Sequence, residues 1–205
     1  ASASTKYNFW SSPVAAQNMF GIFPTTPQYV MTYNTNTDYF NVLANPATST
    51  FGTGYSIKTP ASSTQGTFVG TPNNGASIAT LSTAANKYNL VGNPYPSNIN
   101  LTQFYTLNSA NIEPSFYFWD NTTAPTTTQT GAQTSPIGYA TFNASGSGTW
   151  TSATSGVNVT ASAPIATIGQ GFIVEAKTTS LQFDNSMRVA TAGTFLNKNT
   201  NSTNE

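Results

Sequence analysis

An internal repeat is the feature that most constrains how this chain can fold. Four landmarks occur in the same order in both halves: Lys-Tyr-Asn at 6–8 and 87–89, proline at 13 and 94, an aromatic run at 29–33 and 116–119, and Gly-Xaa-Gly-aromatic at 52–55 and 169–172. Two copies are too few for a solenoid, so each half is expected to bury its apolar face against the other. Either two sheets close into one sandwich or two small sandwiches abut, and the first arrangement is preferred.

Short runs rich in aromatic and β-branched residues, broken by Pro, Gly and Asn, predict β-strands along most of the chain. The predicted strands are 7–10, 28–33, 39–43, 54–58, 66–69, 76–81, 87–91, 115–120, 138–142, 148–151, 157–161, 171–176, 181–183 and 187–190. One short helix is predicted near 98–107, capped by Ser97 or Asn98. The expected fold is an all-β, antiparallel, jelly-roll-like β-sandwich built from two pseudo-repeats.

The repeat also sets the expected boundaries of the domain. A single domain over 1–190 contains pseudo-repeat one at 6–82 and pseudo-repeat two at 87–190, with a Thr-rich loop inserted at 122–136. Residues 191–205 are polar and aperiodic, which predicts a linker.

Charge and missing residue types exclude several classes of function. The chain has 6 basic and 6 acidic residues, or 6% charged residues, against roughly 25% in an ordinary globular domain. No basic patch for nucleic acid or anionic lipid is expected, and no apolar run is long enough to insert into a membrane. The absence of His and Cys excludes the Ser-His-Asp triad, thiol catalysis and thiolate metal sites. A neutral surface rich in hydroxyls and amides is typical of secreted proteins.

Aromatic side chains are the candidates for recognition, because flat rings can stack on sugars where charge is scarce. The candidates are Trp10, Trp119, Trp150, Tyr95, Tyr105 and Tyr117, and most of them are expected in the core. Trp150, in a Gly/Ser/Thr-rich stretch, and Tyr95, in the stiff Asn-Pro-Tyr-Pro turn, are the ones expected to be exposed. Trp10 and Asn93 complete the candidate ligand-binding set.

Acidic residues offer a weaker case for catalysis or metal binding. The carboxylates Asp38, Glu113, Asp120, Glu175 and Asp184 are scattered, and no spacing selects a glycosidase pair. Asp120 and Asp184 are weak candidates for calcium, although caps and turns explain them more simply. No other cofactor is expected. The Gly-Gln-Gly motif at 169–171 lacks the remaining elements of a nucleotide loop and is interpreted as a bulge or strand start.

Several longer segments resemble a module of large surface and secreted proteins from Bacteroidota, including flavobacteria. They are KYNLVGNPYPS (87–97), FYFWDN (116–121), YATFN (139–143), IGQGFIVEA (168–176) and LQFDNSMRVA (181–190), preceded by KYNFWSSPV (6–14), GTGYSIKTP (52–60) and FVGTPNNG (68–75). The resemblance implies export by the type IX secretion system. It also implies a position just before a C-terminal sorting domain, and an extracellular or outer cell-surface location. It supplies no catalytic or ligand-binding residues.

Three functions remain open at this stage. The first is a non-enzymatic extracellular module for adhesion or glycan binding through exposed aromatics and amides, with a surface polysaccharide as partner. The second is a structural spacer or self-assembling unit, with another copy of the chain as partner. An enzyme acting on glycans is the distant third.

Overall fold

The computed structural model describes residues 7–23, 25, 29–59, 65–84, 86–120, 138–151, 161 and 163–196. Within them the fold is all-β and sandwich-like with one α-helix, which confirms the predicted fold class. The strands are β1 (Tyr7–Ser11), β2 (Val30–Asn34), β3 (Tyr39–Val42), β4 (Gly54–Lys58), β5 (Ser77–Thr80), β6 (Tyr88–Gly92), β7 (Asn98–Asn100), β8 (Ile112–Asp120), β9 (Gly138–Asn143), β10 (Thr149–Thr151), β11 (Ile165–Ala166), β12 (Gly171–Ala176), β13 (Ser180–Phe183) and β14 (Arg188–Val189). The helix α1 is Leu101–Asn108, and 3-10 helices cover Met19–Gly21 and Asn185–Met187.

Two larger antiparallel sheets form the body of the fold. The N-terminal sheet has the order β1-β4-β2-β3, and the C-terminal sheet has the order β10-β9-β8-β12-β6. Two smaller sheets, β11-β7-β14 and β13-β5, flank them. Because β5 pairs with β13 from the other half of the chain, the two halves are tied together by backbone hydrogen bonds as well as by packing.

The two large sheets repeat the same topology. In chain order and in pairing, β1 corresponds to β6, β4 to β12, β2 to β8 and β3 to β9. Equivalent residues also pair in the same register: Tyr7 with Lys58 and Tyr88 with Glu175, Ser11 with Gly54 and Gly92 with Gly171. The repeat seen in the sequence is therefore a repeat of strand order and register.

Reciprocal contacts join the two halves at equivalent positions. The Ser11 N–H donates to the Gly169 carbonyl oxygen at 2.8 Å, and the Gly92 N–H donates to the Gly52 carbonyl oxygen at 3.1 Å. Both acceptors are glycines in the left-handed region, with φ of 69° at Gly52 and 74° at Gly169. A side chain would be strained there, which explains why glycine occupies the same position in both copies.

Side chains fill three separate apolar layers. The outer face of the C-terminal sheet packs against α1, whose Leu101 and Phe104 are fully buried. The outer face of the N-terminal sheet packs against Met19 and its neighbours. The inner faces meet in a thinner layer around Phe9, Leu90 and Ile173, bordered by partly buried aromatics of both sheets: Tyr33, Phe40, Tyr88, Tyr117, Trp119 and Tyr139.

The helix starts later than its predicted range of 98–107. Residues 98–100 form β7, which pairs with β11 and β14. The N-cap is Asn100, whose side-chain oxygen accepts from the Thr102 N–H at 2.9 Å and the Gln103 N–H at 3.1 Å. Pairing on both sides of β7 holds these residues extended, so the predicted caps Ser97 and Asn98 are wrong.

Two other boundaries differ from the sequence-based expectation. Residues 66–69 form no strand, and the Val69 N–H donates to the Gln17 side chain at 2.7 Å instead of joining a ladder. Two residues of the linker predicted from residue 191 are part of the fold, because Phe195 packs 4.7 Å from the Trp10 ring and Leu196 is buried. The inserted loop at 122–136, most of the strand predicted at 157–161 and residues 197–205 lie outside the described residues.

Candidate functional site

A pocket lined by four tyrosines opens at the border of the layer between the two sheets. Its volume is about 240 Å³. The lining residues, which define the tyrosine pocket, are Tyr33 of β2, Asp38 of the β2–β3 turn, Tyr88 of β6, Tyr117 of β8, Tyr139 of β9 and Ile173 of β12. Because both halves contribute, the pocket exists only when the two sheets are packed together.

Hydrogen bonds fix the polar edge of the tyrosine pocket. The Tyr33 hydroxyl donates to the Asp38 carboxylate and accepts from Asn86 Nδ2 at 3.0 Å. Asp38 has a φ of 52°, in the left-handed region that Asp tolerates better than most residues, and this conformation belongs to the tight turn between β2 and β3. The carboxylate is thus held in place beside a phenol, with the rest of its oxygen lone pairs open to a ligand.

The hydroxyls of Tyr33, Tyr88 and Tyr139 remain protonated at neutral pH. Burial, together with the hydrogen bond to Asp38, raises the pKa of Tyr33 to about 12. Burial is also the main cause that raises the pKa of Tyr88 and Tyr139, with the charge of Asp38 adding to it. A protonated hydroxyl can both donate and accept a hydrogen bond, and that of Tyr33 already does both within the protein, donating to Asp38 and accepting from Asn86.

The rings around the tyrosine pocket support one another edge to face. Tyr88 and Tyr117 meet at 5.8 Å with an interplanar angle of 88°, and Tyr117 meets Tyr139 at 6.4 Å and 78°. Trp119 packs on Tyr139 at 5.3 Å. Such pairs contribute roughly 0.5–1.5 kcal/mol each beyond burial, so the rings form a rigid wall.

The two candidates in the stiff turn are part of the core. Tyr95 has no exposed surface, and its hydroxyl donates to the Gly75 carbonyl oxygen at 2.6 Å. Asn93 is fully buried, and its Nδ2 donates to the Ser97 carbonyl oxygen at 2.8 Å. The expectation that Tyr95 is exposed is wrong, because the turn folds inward. Both residues stabilise the turn and present nothing to a ligand.

The two tryptophan candidates also serve packing. Trp10 is 6% exposed and lies against Phe23 and Phe195. Trp150 is partly buried between Phe118 and Phe142, with its ring 5.1 and 5.0 Å from theirs, and its Nε1–H donates to the Ala163 carbonyl oxygen at 3.0 Å. Since one edge and the ring face of Trp150 are in use, it is not a free stacking platform.

Two of the candidate acidic residues are already bonded to neighbouring groups. Glu113 pairs with Lys177 at 3.3 Å, and Asp184 caps the second 3-10 helix by accepting from the Ser186 N–H at 2.6 Å. That backbone hydrogen bond lowers the pKa of Asp184. Among the described residues no group of three or more acidic, His or Cys side chains could hold a metal ion, and the Asp120 side chain lies outside them.

Sequence reasoning named Tyr117 as a candidate for stacking but did not identify the tyrosine pocket. Its members come from five strands and one turn, and only the strand order brings them together. One signal was available: the aromatic runs at 29–33 and 116–119 correspond in the repeat, which marks a shared aromatic layer. In the structure Tyr33 pairs with Phe40 and Trp119 pairs with Tyr139, at equivalent positions of the two sheets. The sequence could have predicted that layer, but not the opening at its border.

No helix in the described ranges is long and apolar enough to cross a membrane.

Comparison with known proteins gives a family and nothing more specific. No curated protein and no solved structure matches the chain. The sequence model of one family, described as a domain of unknown function (DUF8693), matches residues 1–205. The chain therefore belongs to the DUF8693 family.

Proposed function

We propose that this protein is a non-enzymatic, saccharide-binding module of an extracellular or cell-surface protein, and that the tyrosine pocket is its binding site. The observation that carries the proposal is the convergence of four tyrosines and one carboxylate, from both halves of the fold, on one opening between the sheets.

The chemistry of the tyrosine pocket suits a sugar. Tyrosine offers a large rigid face at a low cost in conformational entropy, together with a hydroxyl that can donate or accept. The Asp38 carboxylate can accept from a sugar hydroxyl in a charge-assisted hydrogen bond. Since Tyr33 is already held by Asp38 and Asn86, little ordering is needed when a ligand binds.

The charge of the chain points to a neutral ligand. With 6 basic and 6 acidic residues in 205, the surface has no strong field with which to attract an anion or a cation. Shape, aromatic faces and hydroxyl contacts are left to provide recognition. The resemblance to modules of type IX-secreted proteins supports a location where glycans are abundant.

A catalytic role is not supported by the described acids. Glu113 is paired with Lys177, Asp184 is used as a cap, and Asp38 is bonded to Tyr33. The charge of Glu175 acts on Tyr88, but Glu175 does not line the pocket. General acid–base hydrolysis of a glycosidic bond needs two carboxyl groups placed on either side of that bond. The tyrosine pocket contains one described carboxylate, which suits binding better than hydrolysis.

A glycan array followed by calorimetry tests the proposal. We expect the protein to retain neutral glycans, and Tyr117→Ala to weaken binding roughly tenfold, which is the value of one aromatic contact. Tyr39→Ala is the matched control, because Tyr39 is in the adjacent hairpin, is 71% exposed and does not line the pocket. Equal affinities for the two variants, or no glycan retained by the unmodified protein, would contradict the proposal.

Self-assembly is the second candidate function, and strand β3 favours it. β3 is at the edge of the N-terminal sheet, and its Tyr39 and Val42 are 71% and 60% exposed. An exposed edge with apolar side chains can add a strand from another molecule. Light scattering should then show oligomers that Val42→Lys dissociates, whereas a monomer at every concentration would exclude assembly through this edge.

A further inference from the structure

A second cavity lies where β2 separates from β4. The ladder between these strands consists of two pairs, Val30 with Ile57 and Met31 with Ser56. Beyond Met31, β2 continues into its hairpin with β3 without further pairing to β4. The opening has a volume of about 470 Å³ and extends to the segments at 79–82 and 89–91, and we call it the amide cleft.

Uncharged polar side chains dominate the amide cleft. None of the described residues that line it is Asp, Glu, Lys or Arg. Most of its hydroxyl and amide side chains come from the first half of the chain, among them Thr32, Asn41, Thr53 and Thr80, and the second half contributes Asn89. This lining matches a ligand that is rich in hydroxyl groups and carries no charge.

Some of these polar side chains are available to a ligand, while others form hydrogen bonds within the protein. Thr32 and Asn41 are cross-strand neighbours, and neither side chain forms a hydrogen bond with another described residue. In contrast, Thr35 Oγ1 donates to the Tyr88 carbonyl oxygen at 2.6 Å, and Asn89 Nδ2 donates to the Ser82 carbonyl oxygen at 2.8 Å. The amide cleft therefore combines a fixed frame with free hydrogen-bonding groups.

Tyr33 lines both the amide cleft and the tyrosine pocket. We propose that the two cavities form one groove, which binds a linear, uncharged oligosaccharide with one sugar in the tyrosine pocket and the next in the amide cleft. This inference rests on the proposed function and adds the ligand's class: a neutral chain of at least two units rather than a single sugar.

An oligosaccharide fits this groove better than a peptide strand does. A pyranose presents C–H groups on its faces and hydroxyls at its rim, so a chain of them can stack on a tyrosine and then bond to amides. A peptide that adds to a sheet needs an unbroken row of backbone donors and acceptors. The tyrosine pocket offers no such row, because its lining residues come from five different strands and one turn.

Neutral gluco-, xylo- and manno-oligosaccharides of one to six units are the probes for the test. For the sugar series that binds, we expect the Kd measured by calorimetry to fall at least tenfold between one unit and three, and then to level off. A tenfold decrease in Kd is roughly what two additional neutral hydrogen bonds between the sugar and the amide cleft would contribute. Binding of a Ser/Thr/Asn-rich peptide without binding of any oligosaccharide would overturn the inference.

Two variants separate this inference from the proposal on which it rests. The double variant Thr32→Ala/Asn41→Ala should remove the gain with chain length and leave binding of a single sugar unchanged. Tyr117→Ala should weaken binding at every length. Gln103→Ala/Thr149→Ala, at exposed positions outside both cavities, is the matched control. If single sugars bind and length adds nothing, the groove is wrong and the pocket stands. If no sugar binds, both are wrong.

Discussion

Replacement of Gly171 by alanine tests whether the two halves of the fold interlock. A Cβ at this position would lie 2.9 Å from the carbonyl carbon and from the Cβ of Phe9, and 3.0 Å from the Trp10 nitrogen. The equivalent Gly54 faces the other half in the same way, with its added Cβ 2.5 Å from the Val91 carbonyl oxygen. Because these neighbours are mostly backbone atoms, a side-chain rotation cannot relieve the overlap.

The magnitude follows from the required separation of the backbones. Restoring ordinary contact moves them apart by roughly 0.5–1 Å, which forfeits a quarter to a half of the local dispersion energy. Overpacking of this kind lowers the free energy of unfolding by about 1–3 kcal/mol. Because the atoms that the new Cβ meets are mostly backbone and cannot rotate away, the cost of Gly171→Ala should be near the upper end of this range. Alanine regains roughly 0.5–1 kcal/mol of backbone entropy. We therefore expect the free energy of unfolding to fall by about 2 kcal/mol.

Urea denaturation followed by fluorescence measures this change. Gly21→Ala is the matched control, because its added Cβ would approach Gln17 Nε2 no closer than 3.8 Å and its φ is not in the left-handed region. The control should lie within about 0.5 kcal/mol of the unmodified protein. Equal stabilities for Gly171→Ala and Gly21→Ala would refute the close approach of β12 to β1.

Three further predictions concern single contacts and pH. Asn100→Ala should lower the free energy of unfolding by about 1 kcal/mol through loss of the α1 cap, whereas Asn100→Asp should retain most of it, as measured by urea denaturation. Lys177→Ala should change stability by less than about 0.5 kcal/mol, because its pair with Glu113 is partly exposed, and a larger loss would show an unrecognised role. Burial raises the pKa of Tyr33 and of Tyr95 to about 12. Above pH 10 the unfolded chain loses these two protons while the folded protein still holds them, so deprotonation favours unfolding. The urea midpoint should therefore be constant from about pH 7 to pH 9 and fall between about pH 10 and pH 12. Replacing both tyrosines by Phe should flatten that fall, and an unchanged fall would assign it to other groups.

The fold class was predictable because turn residues and short aromatic runs mark strands locally. The repeat added more: the equivalence of Gly52 with Gly169 and of Pro13 with Pro94 follows from the sequence alone. Those matches correctly anticipate that the halves share one topology, because repeated strand order requires repeated turns.

The candidate site was less predictable because exposure depends on distant segments. Tyr95 lies between two prolines in a turn, yet Phe51 and Phe183 pack on its ring and Arg188 lies over it at 5.3 Å. A strand that is covered on both faces also lacks the alternation of apolar and polar residues that would distinguish its buried face from its exposed face. No local pattern distinguishes a core tyrosine of this kind from Tyr117.

The most direct test of the central claim is nuclear magnetic resonance of the protein with ring-labelled tyrosines, titrated with the oligosaccharide that binds best. Of the ten tyrosines, the four that line the tyrosine pocket should shift in parallel with saturation: Tyr33, Tyr88, Tyr117 and Tyr139. Tyr39 and Tyr95 should not move. Shifts confined to other tyrosines, or no shift at saturating sugar, would contradict the claim that this protein recognises neutral saccharides between its two sheets.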